Sequence, residues 1–304
     1  MKNNFARRLK RDMKQNWTLY LLIIPVVAFY VLFCYKPMYG ALIAFQDYKP
    51  AKGFGYNWVG MKHFIKFFNS PYAWRLIRNT FLLSFLELIF SFPASIILAL
   101  LLNELRSEKF KRISQMTMHL PHFVSMVVVC GLVKQFCMSN GLITDITVFF
   151  GAKRVNLLQR PELYRAIYVA SEIWKDLGWN SLIYVAALSG VDASLYEAAR
   201  VDGANKWQQT LHVTLPGILP TIVVMLILNV GRMMSLGYEK TLLLYNETIY
   251  DTADILSSYI YRYGLERQNW SYSTAIGLFN SLVNVALVLT ANWVSKKVTE
   301  NSLW

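Results

Sequence analysis

Eight charged or amide side chains, Glu87, Glu172, Lys175, Asp176, Asn229, Arg232, Asn280 and Asn284, fall within or at the edges of stretches that are otherwise apolar. An uncompensated group of this kind is costly in hydrocarbon, so such residues face a protein interior or a water-filled path. There they can bind polar cargo or neutralise one another. Glu172 and Lys175 stand three apart on one helix face, a spacing that lets them pair. Arg232 follows Asn229 by three residues on the same side of another segment. Asp176 precedes Gly190 by 14 residues, about 21 Å of helix. That places it in the half of a bilayer away from the polar loop that begins near Gly190.

This loop, Val191–Leu215, is the second informative element. It reads Glu197-Ala198-Ala199-Arg200-Val201-Asp202-Gly203 and ends in Val213-Thr214-Leu215-Pro216. The small residues Ala198, Ala199 and Ala204 let a short helix press its backbone against a partner. Gly203 permits a positive backbone angle and a sharp turn after that helix. Glu197 at the expected helix start and Asp202 near its end supply charge for helix-end stabilisation or for a basic partner. Pro216 and Pro220 fit the first turn of the segment that follows. The chemistry of such a loop is docking, not bond-making.

The rest of the composition argues against other classes. Of 304 residues, 55% are hydrophobic and 16% charged, and the mean hydropathy is +0.32. Soluble domains carry about 25% charged residues. The net charge of +13 comes from basic residues at the ends of apolar runs, a membrane-orientation pattern and not a nucleic-acid stripe. Cys34, Cys130 and Cys137 have no metal-ligand spacing and read as small buried side chains. His119 and His122 could share a metal, but helix-end packing or interfacial hydrogen bonding is the simpler role. No G-x-x-x-x-G-K-[ST] loop cradles a phosphate, and no cofactor is called for.

Six apolar runs of spanning length must position these residues. They cover about Leu19–Tyr39, Asn79–Leu102, Ser114–Phe136, Tyr164–Leu188, Pro216–Gly237 and Ser273–Val294. A short amphipathic helix is expected around Met61–Asn69. The basic cluster Lys2, Arg7, Arg8, Lys10, Arg11 and Lys14 resembles a signal-peptide start. The run after it ends in Phe33-Cys34-Tyr35-Lys36-Pro37, not in a small-residue cleavage pattern, so it reads as a retained first span. The chain divides into a basic segment, 1–18, and a six-helix membrane domain, 19–304, with its loop at 191–215. Lys and Arg are denser on the side carrying both termini and that loop, which puts this side in the cytoplasm.

E-A-A, three residues, G, nine residues, then a branched aliphatic-x-L-P resembles the coupling loop of ABC importer permeases. The chain is similar to the carbohydrate-uptake, maltose-type branch of these. Asn79-Thr80, Leu120-Pro121, Trp174 with Gly178 and Trp179, and Leu188-Ser189-Gly190-Val191-Asp192-Ala193-Ser194-Leu195-Tyr196 agree. Lys36-Pro37-Met38-Tyr39-Gly40, Phe45-Gln46-Asp47-Tyr48, Gly237-Tyr238-Glu239, Tyr259-Ile260-Tyr261-Arg262-Tyr263-Gly264-Leu265 and Ser302-Leu303-Trp304 resemble permeases for oligosaccharides released from polysaccharides. Thr210 departs from the family pattern, where an aliphatic or aromatic residue is usual.

The resemblance implies an all-α, polytopic, six-helix membrane protein of the type I ABC importer permease fold in a bacterial cytoplasmic membrane, with both termini cytoplasmic. It implies half of a pore shared with a second homologous permease, two cytoplasmic ABC ATPases that bind the ATP, and an extracellular solute-binding protein or lipoprotein. It implies a sugar or oligosaccharide as cargo and excludes nucleic acid as a partner. Glu197, Ala198, Ala199, Asp202, Gly203, Leu215 and Pro216 would couple to the ATPases. Asn229, Arg232, Glu172, Asp176, Asn280 and Asn284 would line the substrate path, with Arg232 the charge for an anionic sugar. Tyr238, Tyr259 and Tyr263 would stack on sugar rings or form an interfacial aromatic belt. Peptide or amino-acid import, a membrane-embedded enzyme and a membrane scaffold are the alternatives.

Overall fold

The computed structural model describes residues 11–299 and 302–303. Lys2, Arg7, Arg8 and Lys10 of the basic segment, and Trp304, lie outside them. Among the described residues the regular structure is helical, apart from one isolated bridge between Gln46 and Trp58. Helices satisfy their own backbone groups, which hydrocarbon cannot do for them. Five helical stretches are long and apolar enough to cross a membrane: Trp17–Phe45, Ala73–Asn103, Met126–Phe149, Lys206–Val230 and Trp270–Val298. A sixth crossing, Pro161–Leu188, carries Glu172, Lys175 and Asp176 and bends by 74° into the helix Ala193–Val201. The all-α polytopic architecture is as expected, but several boundaries move.

The second span begins at Ala73, not Asn79. Its extra turns hold Arg75, whose guanidinium reaches Asp251 at 2.8 Å, so charge at the mouth does not end the helix. Asn79 and Thr80 therefore sit inside the span. Asn79 donates to the carbonyls of Asp251 and Asp254, and Thr80 accepts from the amide of Leu256.

The third span is the largest correction. In place of one helix over Ser114–Phe136, the chain forms Glu108–His119, a 3-10 turn Leu120–Phe123, and Met126–Cys137. Pro121 and the extended Val124 interrupt it. Its register against the fourth span fixes the depth. The Met118 carbonyl faces Gly178, His122 meets Asp176, and Cys137 joins Leu157 and Tyr164 in one apolar cluster. The two segments therefore run antiparallel, and the crossing is Glu108–Cys137. Leu142–Phe149 lies past its far end, although apolar enough to be counted with it.

The fifth span starts at Lys206 and passes through a widened π-helical turn, Thr210–Thr214, before Leu215–Val230. Pro216 has no N–H for the carbonyl of His212 and its ring crowds that carbonyl; the wide turn relieves both. The helix ends at Val230, before the expected Gly237. The sixth span, Trp270–Thr299, is longer than expected at both ends. The short helix Lys62–Phe68 forms as expected, burying His63, Phe64 and Phe67. The first span buries none of its apolar window and meets the bundle through Tyr39–Phe45 on the sixth. Cys130 and Cys137 are buried, whereas Cys34 on that bare span is exposed.

Candidate functional site: a polar cavity and an exposed helix

Two features carry the polar residues. The first is a cavity of about 480 Å³ between the second, fourth and fifth spans and the segment after the fifth. Tyr168, Glu172, Asp176, Asn180 and Tyr184 line it from the fourth span at four-residue intervals, the repeat of one helix face. Ser84, Glu87, Ser91 and Ser95 line it from the second span, and Asn229, Arg232, Glu239 and Lys240 from the other side.

Of the expected path residues, Glu172, Asp176, Asn229 and Arg232 come together here. Glu172 does not pair with Lys175. Lys240 Nζ lies 2.5 Å from Glu172 Oε2 and 2.9 Å from the carbonyl of Tyr168, over whose ring it also sits. Lys175 turns instead to Asp176 and to the carbonyl of His122, each at 3.3 Å. His122 Nδ1 meets Asp176 Oδ1 at 2.6 Å, and its ring stacks on Trp179. The histidine is thus engaged in bonding and ring stacking between two spans. Arg232 stands in the turn beyond Val230, exposed to the cavity, and no described carboxylate forms an ion pair with it.

Asn280, Asn284, Tyr259 and Tyr263 do not line this cavity. Asn284 accepts from the amide of Met234 and donates to Ser235, fixing the turn after the fifth span. Asn280 Oδ1 is buried with no bond of its own. Tyr259 is buried, stacked on Tyr263 with ring centres 4.3 Å apart and edge-on to Tyr272. Tyr238 stacks on Tyr261. Sequence reasoning missed Lys240, Glu239, Asn180 and the serines. The serine spacing 84, 91, 95 on one face was a readable signal; Lys240 lay outside every expected span.

The second feature is the helix Ala193–Val201. Asp192 caps it by accepting from the amide of Ser194 at 2.9 Å. This bond holds the Asp192 carboxyl below the usual carboxylate range. Glu197 is therefore mid-helix and not at the helix start. Glu197, Ala198, Asp202 and Gly203 are exposed, and Ala199 is half-buried. Val201 is 88% exposed, with Leu195 and Trp207 also open, an apolar surface beside the Glu197 carboxylate. Gly203 takes φ 79°, the left-handed turn that favours glycine. A capping box, Asn205 with Gln208, then starts the return helix. Tyr196 Oη lies 3.0 Å from Thr214 Oγ1, and Lys206 bridges to Glu104 at 3.0 Å. The first contact sets helix 193–201 on the start of the fifth span, and the second ties that start to the end of the second span. Leu215 is half-buried and Pro216 exposed just inside.

A family model described as binding-protein-dependent transport system inner membrane component matches residues 91–300. The chain is 43% identical, over all of its length and 95% of the relative's, to the polygalacturonan/rhamnogalacturonan transport system permease protein YteP of Bacillus subtilis (strain 168). It is 42% identical to LplB of the same organism, over 97% of this chain and 92% of that one. Among solved structures, it superposes on a chain of a bacterial ABC transporter involved in the import of the acidic polysaccharide alginate. The TM-score is 0.87 at 42% identity, covering 96% of this chain and 99% of that one. A chain of the bacterial alginate ABC transporter in complex with alginate pentasaccharide-bound periplasmic protein gives a TM-score of 0.88 at 41% identity, covering 97% of this chain and 100% of that one.

Proposed function

This chain belongs to the binding-protein-dependent transport system inner membrane components, and from that premise we propose how it works as the permease subunit of a carbohydrate-importing ABC transporter. It forms one half of the translocation path with a second, homologous permease. Two cytoplasmic ATPases supply the energy, and an extracellular binding protein supplies the cargo. The docking helix 193–201 and both termini face the cytoplasm. The cargo is an oligosaccharide released from an acidic polysaccharide, in keeping with what the relatives' names say they transport.

The observation that carries this reading is the docking helix. It is exposed, sharply bent from the fourth span, and joined by the short link 189–192 to the helix whose face lines the cavity. A pull on Glu197–Gly203 by the ATPases would therefore act directly on Glu172, Asp176 and Asn180. Arg232, unpaired among the described residues at the cavity edge, supplies a cation for a uronate carboxylate, while the amides and serines offer hydrogen bonds to hydroxyls.

Purification of the tagged chain in mild detergent tests the reading. It should bring down a second permease and two ATPases whose ATP hydrolysis rises with the binding protein and an acidic oligosaccharide. Glu197→Lys should abolish that stimulation, with the permease pair still assembled. Isolation of the chain alone, or stimulation unaffected by Glu197→Lys, would overturn it.

A further inference from the structure

The Lys240 side chain is placed where a lone cation would be costly. The residue is 3% exposed, yet it contacts the cavity carboxylate of Glu172. A buried charge persists when it is paired and hydrogen-bonded, and Lys240 has the Glu172 carboxylate, the Tyr168 carbonyl and the Tyr168 ring. The two partners belong to different mechanical units. Glu172 lies on the fourth span, 16 residues before Leu188, about 24 Å of helix from the docking end. Lys240 lies on the short helix Tyr238–Leu244, which forms part of the cavity wall at the far end.

The segment that leads to this helix is pinned elsewhere. The Met233 carbonyl accepts from Ser84, the Met234 amide donates to Asn284, and the Leu236 carbonyl accepts from Ser257. None of these bonds involves the fourth span. Among the described residues, Lys240–Glu172 is the one ion pair between helix 238–244 and the fourth span. The long fourth helix, which leads into the docking helix across a bend, is thus fastened to the far wall by one charged contact, beside the apolar cluster that Leu244 shares with Tyr164 and Tyr168.

We propose that the Lys240–Glu172 ion pair is the fastening that holds the far end of the cavity closed, with Lys240 as the positioning residue that the fourth span must release for the path to open. This rests on the permease reading above. Movement of the docking helix is carried along the fourth span to Glu172, and the ammonium lets go when the span turns or shifts. Breaking the pair beforehand removes a contact that favours the closed state, so the closed population falls.

The test uses the complete importer in lipid nanodiscs, assayed for ATP hydrolysis with and without its binding protein. Lys240→Met and Glu172→Gln should each raise hydrolysis in the absence of binding protein by roughly fivefold or more, the lower end of a typical coupling free energy. The reversed pair, Glu172→Lys with Lys240→Glu, should bring that rate back down, and Lys240→Arg should leave it low. Assembled single variants with an unchanged unstimulated rate would overturn the proposal. So would failure of both singles and of the reversed pair to assemble, which would make the contact a folding element. A wild-type complex that lacks binding-protein stimulation would instead remove the permease reading on which the proposal stands.

Discussion

His122 Nδ1 lies 2.6 Å from Asp176 Oδ1, and the imidazole rests flat on Trp179 with ring centres 4.3 Å apart. One residue comes from the break in the third span, the other from the cavity face of the fourth. The break leaves backbone groups free at mid-membrane depth, and Lys175 takes the carbonyl of His122. The pair therefore closes the interruption against its neighbour. His122→Ala removes the ring stack and one partner of a half-buried carboxylate, and should cost about 1–3 kcal/mol. His122→Gln keeps a hydrogen-bond donor and should recover part of it. Thermal unfolding of the detergent-purified complex measures both, and equal melting of Ala and Gln variants would refute the role given to the bond.

Gly178 stands where the third and fourth spans approach closely, backbone against backbone. A Cβ added there would meet the carbonyl oxygen of Met118 at 2.1 Å, and backbone cannot swing aside as a side-chain tip can. Gly178→Ala should destabilise by about 1–3 kcal/mol, the usual cost of overpacking. Gly277 in the sixth span has nothing within 4 Å of its added Cβ, so Gly277→Ala should be neutral or stabilising. Yield and melting temperature of the two variants should therefore move apart.

The difference between these glycines was invisible in the sequence, and so was much of the cavity. The second, fourth and sixth spans were legible because each is one unbroken helix that stays largely apolar, even where the fourth carries Glu172, Lys175 and Asp176. Their true ends were not, because Arg75 is kept helical by Asp251, 176 positions away. Lys175 is the nearest basic residue to Glu172 along the helix, and local spacing favoured it. The actual partner, Lys240, comes from 68 residues away and lies on no stretch that looks like a span. The short helix 193–201 and the turn after it were legible because their determinants are local: the small residues, the left-handed Gly203 and the turn into the next span. Even there the Asp192 cap moved the helix start to Ala193, which leaves Glu197 in its middle.

That cap has a pH consequence. Asp192 has a lowered pKa because it accepts from Ser194, so its contribution is full above the ordinary carboxylate value. It fades as pH falls through the lowered folded value. At neutral pH, Asp192→Ala should loosen helix 193–201 and weaken ATPase binding, whereas Asp192→Asn, still a good cap, should not. Amide hydrogen exchange of the assembled importer resolves this segment. Faster exchange across 193–201 in the Ala variant alone is the expected result, and equal exchange in both variants would count against the cap.

Arg262 and Asp254 form a deeply buried bidentate pair, with Nη1–Oδ1 and Nη2–Oδ2 at 2.9 and 2.7 Å. Asp254 is 1% exposed, and the guanidinium lies within reach of the Tyr245, Tyr250 and Tyr259 rings. Arg75 approaches the same carboxylate at 4.0 Å and Asp251 at 2.8 Å. The pair thus ties the region between the fifth and sixth spans to the mouth of the second. Arg262→Gln would leave the buried carboxylate with only the Ser258 hydroxyl and the more distant Arg75, and breaking such a pair costs about 3–5 kcal/mol. Arg262→Lys keeps the charge but not the fork, so it should fall between Gln and wild type. Replacing both residues, Arg262→Met with Asp254→Asn, removes the stranded charge and should be less harmful than Arg262→Gln alone. Melting of the three variants in one detergent decides it, and a double variant less stable than the single would sink the argument.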